Sequence, residues 1–398
     1  MKKRILFTMP SMFMGGAERS LLGLLDAIDY NKYDVELFLY RHEGEFLEFI
    51  NPKVTIIPEI NKYKTFDVPI VSLIKSKLYL FGISRIISKI FLKLHCLLSK
   101  EKEGVWMHMQ YTSRFLQWIL PNIPGEYDCA ISFLGVPDVL VNKINAKTKI
   151  AWIHTDYDTL NPSRRYDRLV YSKIDYIANV SDDCTRKFLK YYPEFISKSI
   201  TIENILSSKF LEFQSKEEKI TDLKKNSIII LSIGRFCEAK NFDNVPAICK
   251  LIREKGLNIK WYLIGYGTDE EIIRSKIKEF DMEDNVVILG KKINPYPYIK
   301  NCDLYVQPSR YEGKAVTVRE AQMLCKPVVI TKFATSSSQL KDGYDGIIVP
   351  MDNQGCADGI AKLLNNKVLM QQLSENCAEN DYSNSQEINK IYEIIENS

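Results

Sequence analysis

The sequence predicts an α/β protein of two doubly wound parallel sheets, each with helices on both faces. Three observations lead there. The chain has 398 residues, more than one hydrophobic core usually supports. Short apolar runs alternate with longer amphipathic stretches, the pattern of βαβ units. A charge-dense segment of little periodicity, FQSKEEKITDLKKNS, divides those runs into two sets.

The first set of expected strands is RILFT, VELFLY, DCAISFL, KIAWIH and YIANV. The second is SIIILSIG, KWYLIG, NVVILG, DLYVQP, PVVIT and GIIVP. The expected organisation is therefore a Rossmann-like domain at 1–212, a linker at 213–226, a second Rossmann-like domain at 227–379 and a closing helix at 380–398. The closing helix follows from Ile388, Ile391, Tyr392, Ile394 and Ile395, which recur at helical spacing. Such sheets bind ligands at the carboxyl ends of their strands, so an interdomain cleft between two facing sheets is the expected site.

Composition narrows the function. Apolar residues make up 45%, enough for two cores, and 54 basic residues against 50 acidic ones leave no global field for nucleic acid. Nine cysteines without a CxxC pair read as isolated thiols, not a disulfide framework or zinc site, and fit a reducing cytosol. The opening MKKRILFTMPSMFMGG is basic and then apolar, but Thr8, Pro10 and Ser11 interrupt the run, so an opening strand is expected in place of a leader. No run reaches the roughly eighteen uncharged apolar residues that a membrane span needs.

Several loops at strand ends carry polar chemistry. After the first strand, Gly15 and Gly16 precede a helix, which suits either a phosphate at the helix start or a tight turn; the dinucleotide G-x-G-x-x-G spacing is absent. Gly234 and Arg235 follow SIIILSI, with Lys240 five residues after the arginine, and two cations on one such loop can neutralise a diphosphate. Gly265 and Gly267 follow the next strand and allow either a close backbone approach or a turn. Tyr296 offers a surface for a nucleobase or for core packing. His154 and Asp156 end KIAWIH; a histidine there suits a site or ordinary packing.

The stretch YEGKAVTVREAQML sets Glu312 in a loop and Glu320 inside the following helix. That arrangement lets both carboxylates line one pocket, with the amides of Gly313, Lys314, Ala315 and Val316 at the positive end of the helix between them. Carboxylates bind sugar hydroxyls well without a metal.

From Val68 to Lys100 the chain has Lys75, Lys77, Arg85, Lys89, Lys93 and Lys100 among Leu, Ile and Phe, and no acidic residue. This describes either a helix on an anionic membrane surface or one packed on the sheet with a solvated basic face.

Taken together, GGAERS, GRFCEAKN, IGYG and the glutamate pair seven residues apart resemble the retaining glycosyltransferases of the GT-B fold, most closely glycosyltransferase family 4, of the type that builds bacterial capsule and exopolysaccharide. The resemblance implies a retaining, metal-independent hexosyltransferase with no cofactor. Its donor would be a nucleotide diphosphate sugar, UDP-linked, held by the C-terminal domain; its acceptor, a sugar or lipid-linked glycan, would be held by the N-terminal one. By the same resemblance Arg235 and Lys240 bind the diphosphate, Glu320 the ribose and Glu312 the transferred sugar. Gly16 faces the phosphate side and His154 the sugar near the reacting carbon, while Gly234, Gly265, Gly313, Ala315 and Val316 complete donor binding; Lys314 joins them at the phosphate or faces water. The expected location is cytoplasmic or peripheral on the inner face of the membrane. Two features depart from the family: Lys314 after the motif's Glu-Gly, and Cys325 where a glycine usually ends the helix. A phosphorylase or nucleotide-sugar epimerase on the same fold, and an inactive membrane-surface assembly component, are the alternatives.

Overall fold

The computed structural model describes residues 2–397 except 14, 67, 100–102, 156, 218–219, 224–225 and 313–314. The chain forms two compact units, Met1–Ser207 with Asn384–Ser398, and Ser208–Ser383.

Seven strands build the first unit: β1 (Lys3–Met9), β2 (Tyr33–Leu39), β3 (Thr55–Ile56), β4 (Glu126–Ser132), β5 (Asn145–Ile153), β6 (Tyr176–Asn179) and β7 (Ser199–Thr201). They lie in the order β3-β2-β1-β4-β5-β6-β7, all parallel. Parallel strands need crossovers, and helix α1 (Gly16–Ala27) supplies the first between β1 and β2. Helices α2 (Tyr79–Ser99) and α3 (Val105–Leu116) follow. Leu92 of α2 packs with Met107 and Tyr111 of α3, and the rings of Phe91 and Phe115 lie 5.2 Å apart, so the two helices form an antiparallel hairpin.

Six strands build the second unit: β8 (Ile228–Ile233), β9 (Ile259–Ile264), β10 (Val286–Gly290), β11 (Leu304–Gln307), β12 (Val328–Thr331) and β13 (Ile347–Val349). Their order is β10-β9-β8-β11-β12-β13, again parallel. Helices α4 (Val245–Glu254), α5 (Tyr296–Asn301) and α6 (Val316–Met323) are among its crossovers. Its core gathers Ile230, Trp261, Leu263, Val306 and Val329 from the sheet with Ile248 and Ile252 from α4.

All eleven expected strands are present, and β3 and β7 are additional. These two are short edge strands, and neither has a buried residue, so neither leaves an apolar run in the sequence. The segment expected as a linker, 213–226, falls inside the second unit, where helix Ser208–Gln214 places Phe210 against Tyr296 at 6.0 Å. The closing helix, Ile388–Glu396, belongs to the first unit: Tyr392 stacks on Tyr33 at 4.7 Å and its hydroxyl accepts the Asp29 N–H at 2.7 Å.

A buried acid–tyrosine network sits under α3. Asp167 accepts hydrogen bonds from Tyr157 at 2.9 Å and Tyr192 at 2.7 Å, and also from Gln110. Tyr166 donates to Asp138, whose other oxygen has no partner among the described residues. Burial, above all, pushes Asp138 up to about 7, against the opposing effect of the Tyr166 bond.

Helix α6 ends at Leu324, and Cys325 then adopts the left-handed conformation with φ +55°. The Cys325 N–H donates to Gln322 O at 2.8 Å and the Lys326 N–H to Ala321 O at 3.0 Å, a Schellman closure made without glycine.

Two outcomes follow from these features. Relieving the left-handed strain by Cys325→Gly should raise stability by about 0.5–1 kcal/mol, read as a denaturation midpoint. For Asp138, the folded state binds the proton more tightly than the unfolded chain. Its contribution is therefore fully present below about pH 4 and is lost as pH rises towards about 7, at up to about 1.4 kcal/mol per pH unit. Comparing wild type with Asp138→Asn across that range isolates the effect, and parallel stability curves would refute it.

Candidate functional site

Both sheets reverse their strand order at one place. Chain order runs outward to one side from β1 through β2 and β3, then resumes on the other side with β4; in the second unit the same reversal lies between β8 and β11. Crossovers leaving the two sides part there and open a crevice at the carboxyl ends of the strands. In the second unit the loops that border it carry Gly234, Arg235 and Lys240 after β8, and Glu312 after β11.

The geometry joins these loops. Lys240 Nζ donates to Glu312 Oε1 at 2.5 Å, with the two side chains 20% and 9% exposed. The same oxygen accepts from Ser309 Oγ at 2.6 Å and from Gln307 Nε2 at 3.4 Å, while the Tyr305 hydroxyl donates to Gln307 Oε1 at 2.9 Å. Glu312 Oε2 has no partner among the described residues, so one carboxylate oxygen is anchored and the other can accept from a ligand hydroxyl.

A second set of contacts fixes the loop backbones. Arg310 grips Asp243 in a two-point ion pair at 2.9 and 2.7 Å, donates to Glu238 O at 2.6 Å, and sends its N–H to Ala239 O at 2.8 Å. Asn241, left-handed at φ +59°, donates its side-chain amide to Pro308 O at 2.9 Å. Arg235 is exposed and makes no ion pair among the described residues.

Glycine is required at Gly265 and at Gly267, where an added Cβ would lie 2.2 Å from the Phe236 carbonyl oxygen. A Cβ on Gly265, at φ +153°, would lie 1.8 Å from the Gly234 carbonyl oxygen. One on Gly234 would press on the Lys240 stem at 3.3 Å. These two loops therefore pack backbone to backbone under Lys240.

Glu312 lies in the loop and Glu320 inside α6, as the spacing implies. The helix buries Glu320 to 3% exposure, and its Oε1 accepts the Tyr296 hydroxyl at 2.8 Å. Tyr296 is itself 1% exposed, so it orients Glu320 from the core and offers no face to a nucleobase. Burial, followed by the nearby Glu320 and Glu312 charges, holds the Tyr305 phenol well above its usual range, opposed by a bond to Thr317.

The start of α6 differs from its expected form. The Ala315 N–H donates to Gln339 Oε1 at 2.7 Å, and Gln339 Nε2 returns a bond to Ala315 O at 3.3 Å. That amide is occupied from within the unit, and is therefore not free for a phosphate. Val316 opens the helix, half-buried; Gly313 and Lys314 lie outside the described residues.

In the first unit Gly16 is the first residue of α1, and a Cβ there would meet nothing within 4 Å. Its backbone is thus open to approach, while the tight contact falls on Gly15, whose added Cβ would strike the Glu18 carboxylate at 2.1 Å. His154 follows β5 with its ring 4.6 Å from Phe133 and stacked on Trp152 at 6.1 Å. Burial lowers its pKa to about 4, against an opposing hydrogen bond to the Phe133 backbone, so the ring is neutral at pH 7. Its Nε2 is buried and has no partner among the described residues. Asp156 lies outside the described residues.

The first unit also holds a cavity of about 620 Å³. Apolar side chains dominate its lining, among them Tyr40, Phe66, Met109, Leu134 and Val136. Arg85 borders it from α2, buried and donating to the carbonyls of Thr65, at 3.1 Å, and Val68.

Sequence reasoning missed Ser309, Gln307, Tyr305, Arg310 and Gln339, and it missed the cavity. The available signal was Gln307, a polar residue in an otherwise apolar strand directly before the glutamate loop.

Residues 213–383 match the family model described as glycosyl transferases group 1. The chain is 28% identical over 186 residues to the capsular polysaccharide biosynthesis glycosyltransferase CapM of Staphylococcus aureus, covering 44% of this chain and 49% of CapM. It is 27% identical over 162 residues to the N-acetylgalactosamine-N,N'-diacetylbacillosaminyl-diphospho-undecaprenol 4-alpha-N-acetylgalactosaminyltransferase of Campylobacter jejuni, covering 40% of this chain and 41% of that one. The chain spans about half the length, or less, of these two relatives and of two others, and up to about three-quarters of the rest. Among solved structures, Anabaena HepE in complex with UDP matches with a TM-score of 0.58 at 16% identity over 100% of both chains. The protein has the GT-B fold, and residues 213–383, within its second unit, are similar to the glycosyl transferases group 1 family.

Proposed function

We propose that the protein is a retaining hexosyltransferase that moves a sugar from a nucleotide diphosphate sugar, UDP-linked, to an acceptor hydroxyl. The observation that carries this reading is the Lys240–Glu312 pair at the crevice of the second unit, with one carboxylate oxygen anchored and the other without a partner among the described residues. HepE, solved with UDP, supports the nucleotide.

In this reading the diphosphate leaves with growing negative charge. Lys240 and Arg235 meet that charge more strongly in the transition state than in the ground state, in place of a metal ion. As the diphosphate takes over Lys240, Glu312 turns its free oxygen to a hydroxyl of the transferred sugar. Gly265 and Gly234 keep the floor low enough for the phosphates to approach the backbone. Glu320, held by Tyr296, takes the ribose hydroxyls. No side chain acts as a covalent nucleophile, and the acceptor attacks from the face that the diphosphate leaves.

The first unit takes the acceptor. A neutral His154 whose Nε2 has no partner among the described residues suits a sugar hydroxyl as donor or acceptor. The apolar cavity suits a ligand with an apolar portion, within the usual size of small-molecule sites. An acceptor that is lipid-linked or a growing envelope glycan, in capsule or exopolysaccharide assembly, fits it. The names of CapM and the undecaprenol-dependent relative support that class. The enzyme then works on the cytoplasmic side, at the inner face of the membrane.

Two measurements test the reading. Lys240→Ala should lower turnover about a hundredfold or more at a temperature where the variant is still folded, beyond the stability it loses by leaving Glu312 without its cation, and unchanged turnover with a measured donor would overturn the role. Met109→Trp, which intrudes on the cavity from a partly exposed position, should raise the acceptor KM while leaving slow donor hydrolysis intact; equal loss of both would disconnect the cavity from the acceptor.

A further inference from the structure

Helix α2 has two apolar faces and only one of them is covered. Phe81, Gly82, Arg85, Ser88 and Leu92 face inward and are buried. At about 100° per residue, Leu80, Ile83, Ile87, Ile90, Leu94 and Leu97 form a stripe on the opposite side. All six are exposed, Leu80 to 68% and Leu97 to 76%. Soluble surfaces rarely present so continuous an apolar patch.

Charge identifies what covers it. Lys89 and Lys93 flank the stripe, and Lys75 and Lys77 precede the helix. All four are exposed, and none forms an ion pair among the described residues. The sequence from Val68 to Lys100 has no acidic residue, so nothing on this face opposes an anionic partner; Lys100 itself lies outside the described residues. A second copy would bring lysine against lysine. A partner that is apolar beneath and negative at its surface satisfies both features, and an anionic bilayer is one. Among the described residues no helix is long and apolar enough to cross a membrane, so contact would be from the surface.

We propose that the outer face of α2 is a membrane-docking surface that lies in the headgroup region of an anionic bilayer, its leucine and isoleucine stripe inserted and its lysines against lipid phosphates. Helix α3, paired to α2, lines the apolar cavity with Val105 and Met109. Docking would thus bring that cavity close to the lipid surface. The assignment deepens the peripheral location proposed above and rests on that reading for its acceptor alone.

Flotation of the full chain, without donor or acceptor, tests it with vesicles of phosphatidylcholine alone and with about one-third phosphatidylglycerol. The expected result is binding to the anionic vesicles that weakens as salt rises. Lys89→Glu with Lys93→Glu should weaken it at least about tenfold, and Ile83→Glu, Ile87→Glu and Ile90→Glu together should abolish it. These positions are exposed, so retained melting temperature and retained nucleotide-sugar binding show that the variants fold. No binding at low salt, equal binding to both vesicles, or a dimer that the triple variant dissociates would each overturn the proposal. Because donor binding is measured separately, its loss in the wild type would count against the transferase reading and leave the docking result standing.

Discussion

A carboxylate held mostly out of water beside a strand end needs a cation, and Glu312 has Lys240. The arrangement of the second unit's crevice depends on that pair. Its two members come from loops after different strands, so the loops must be brought to a fixed separation. The Arg310–Asp243 ion pair and the Asn241 bond to Pro308 do so from one side. The backbone contact of Gly265 with Gly234 does so from below. The chain of hydrogen bonds from Tyr305 through Gln307 and Ser309 then sets which oxygen of Glu312 faces inward. A lysine that closes on its own glutamate is also shielded until an anion competes for it.

The first unit solves a different problem. Its strand-end crevice is roofed by the α2–α3 hairpin, whose inner surface completes an apolar cavity and whose outer surface stays uncovered. Beneath it, two buried aspartates are held by tyrosine hydroxyls. Low dielectric raises their proton affinity, and neighbouring donors limit the effect. Rigid packing under a cavity and an apolar face above it give the two surfaces of one hairpin separate tasks.

Local pattern carried much of this into the sequence. Central strands are buried on both faces, so β1, β4, β8 and β11 stand out as mostly apolar runs, and the loops after three of them were visible as glycine, basic and acidic clusters. Edge strands β3 and β7 left no such mark. Tyr296 illustrates the limit: its spacing was compatible with a surface platform, but its place between helix Ser208–Gln214 and Glu320 is a matter of packing. The occupied Ala315 amide is another case, since Gln339 lies 24 residues away and belongs to a different helix.

The sequence by itself determined the doubly wound class, the order of most strands along the chain, the loop position of Glu312 and the helical position of Glu320. These follow from periodicity and turn chemistry within a few residues. Only the tertiary structure decided which oxygen of Glu312 is anchored, which glycines are indispensable, and that the closing helix returns to the first unit on Tyr33. It also decided which face of α2 is left bare. Each of these depends on contacts between residues far apart in sequence, where packing and burial, not local propensity, choose the partner.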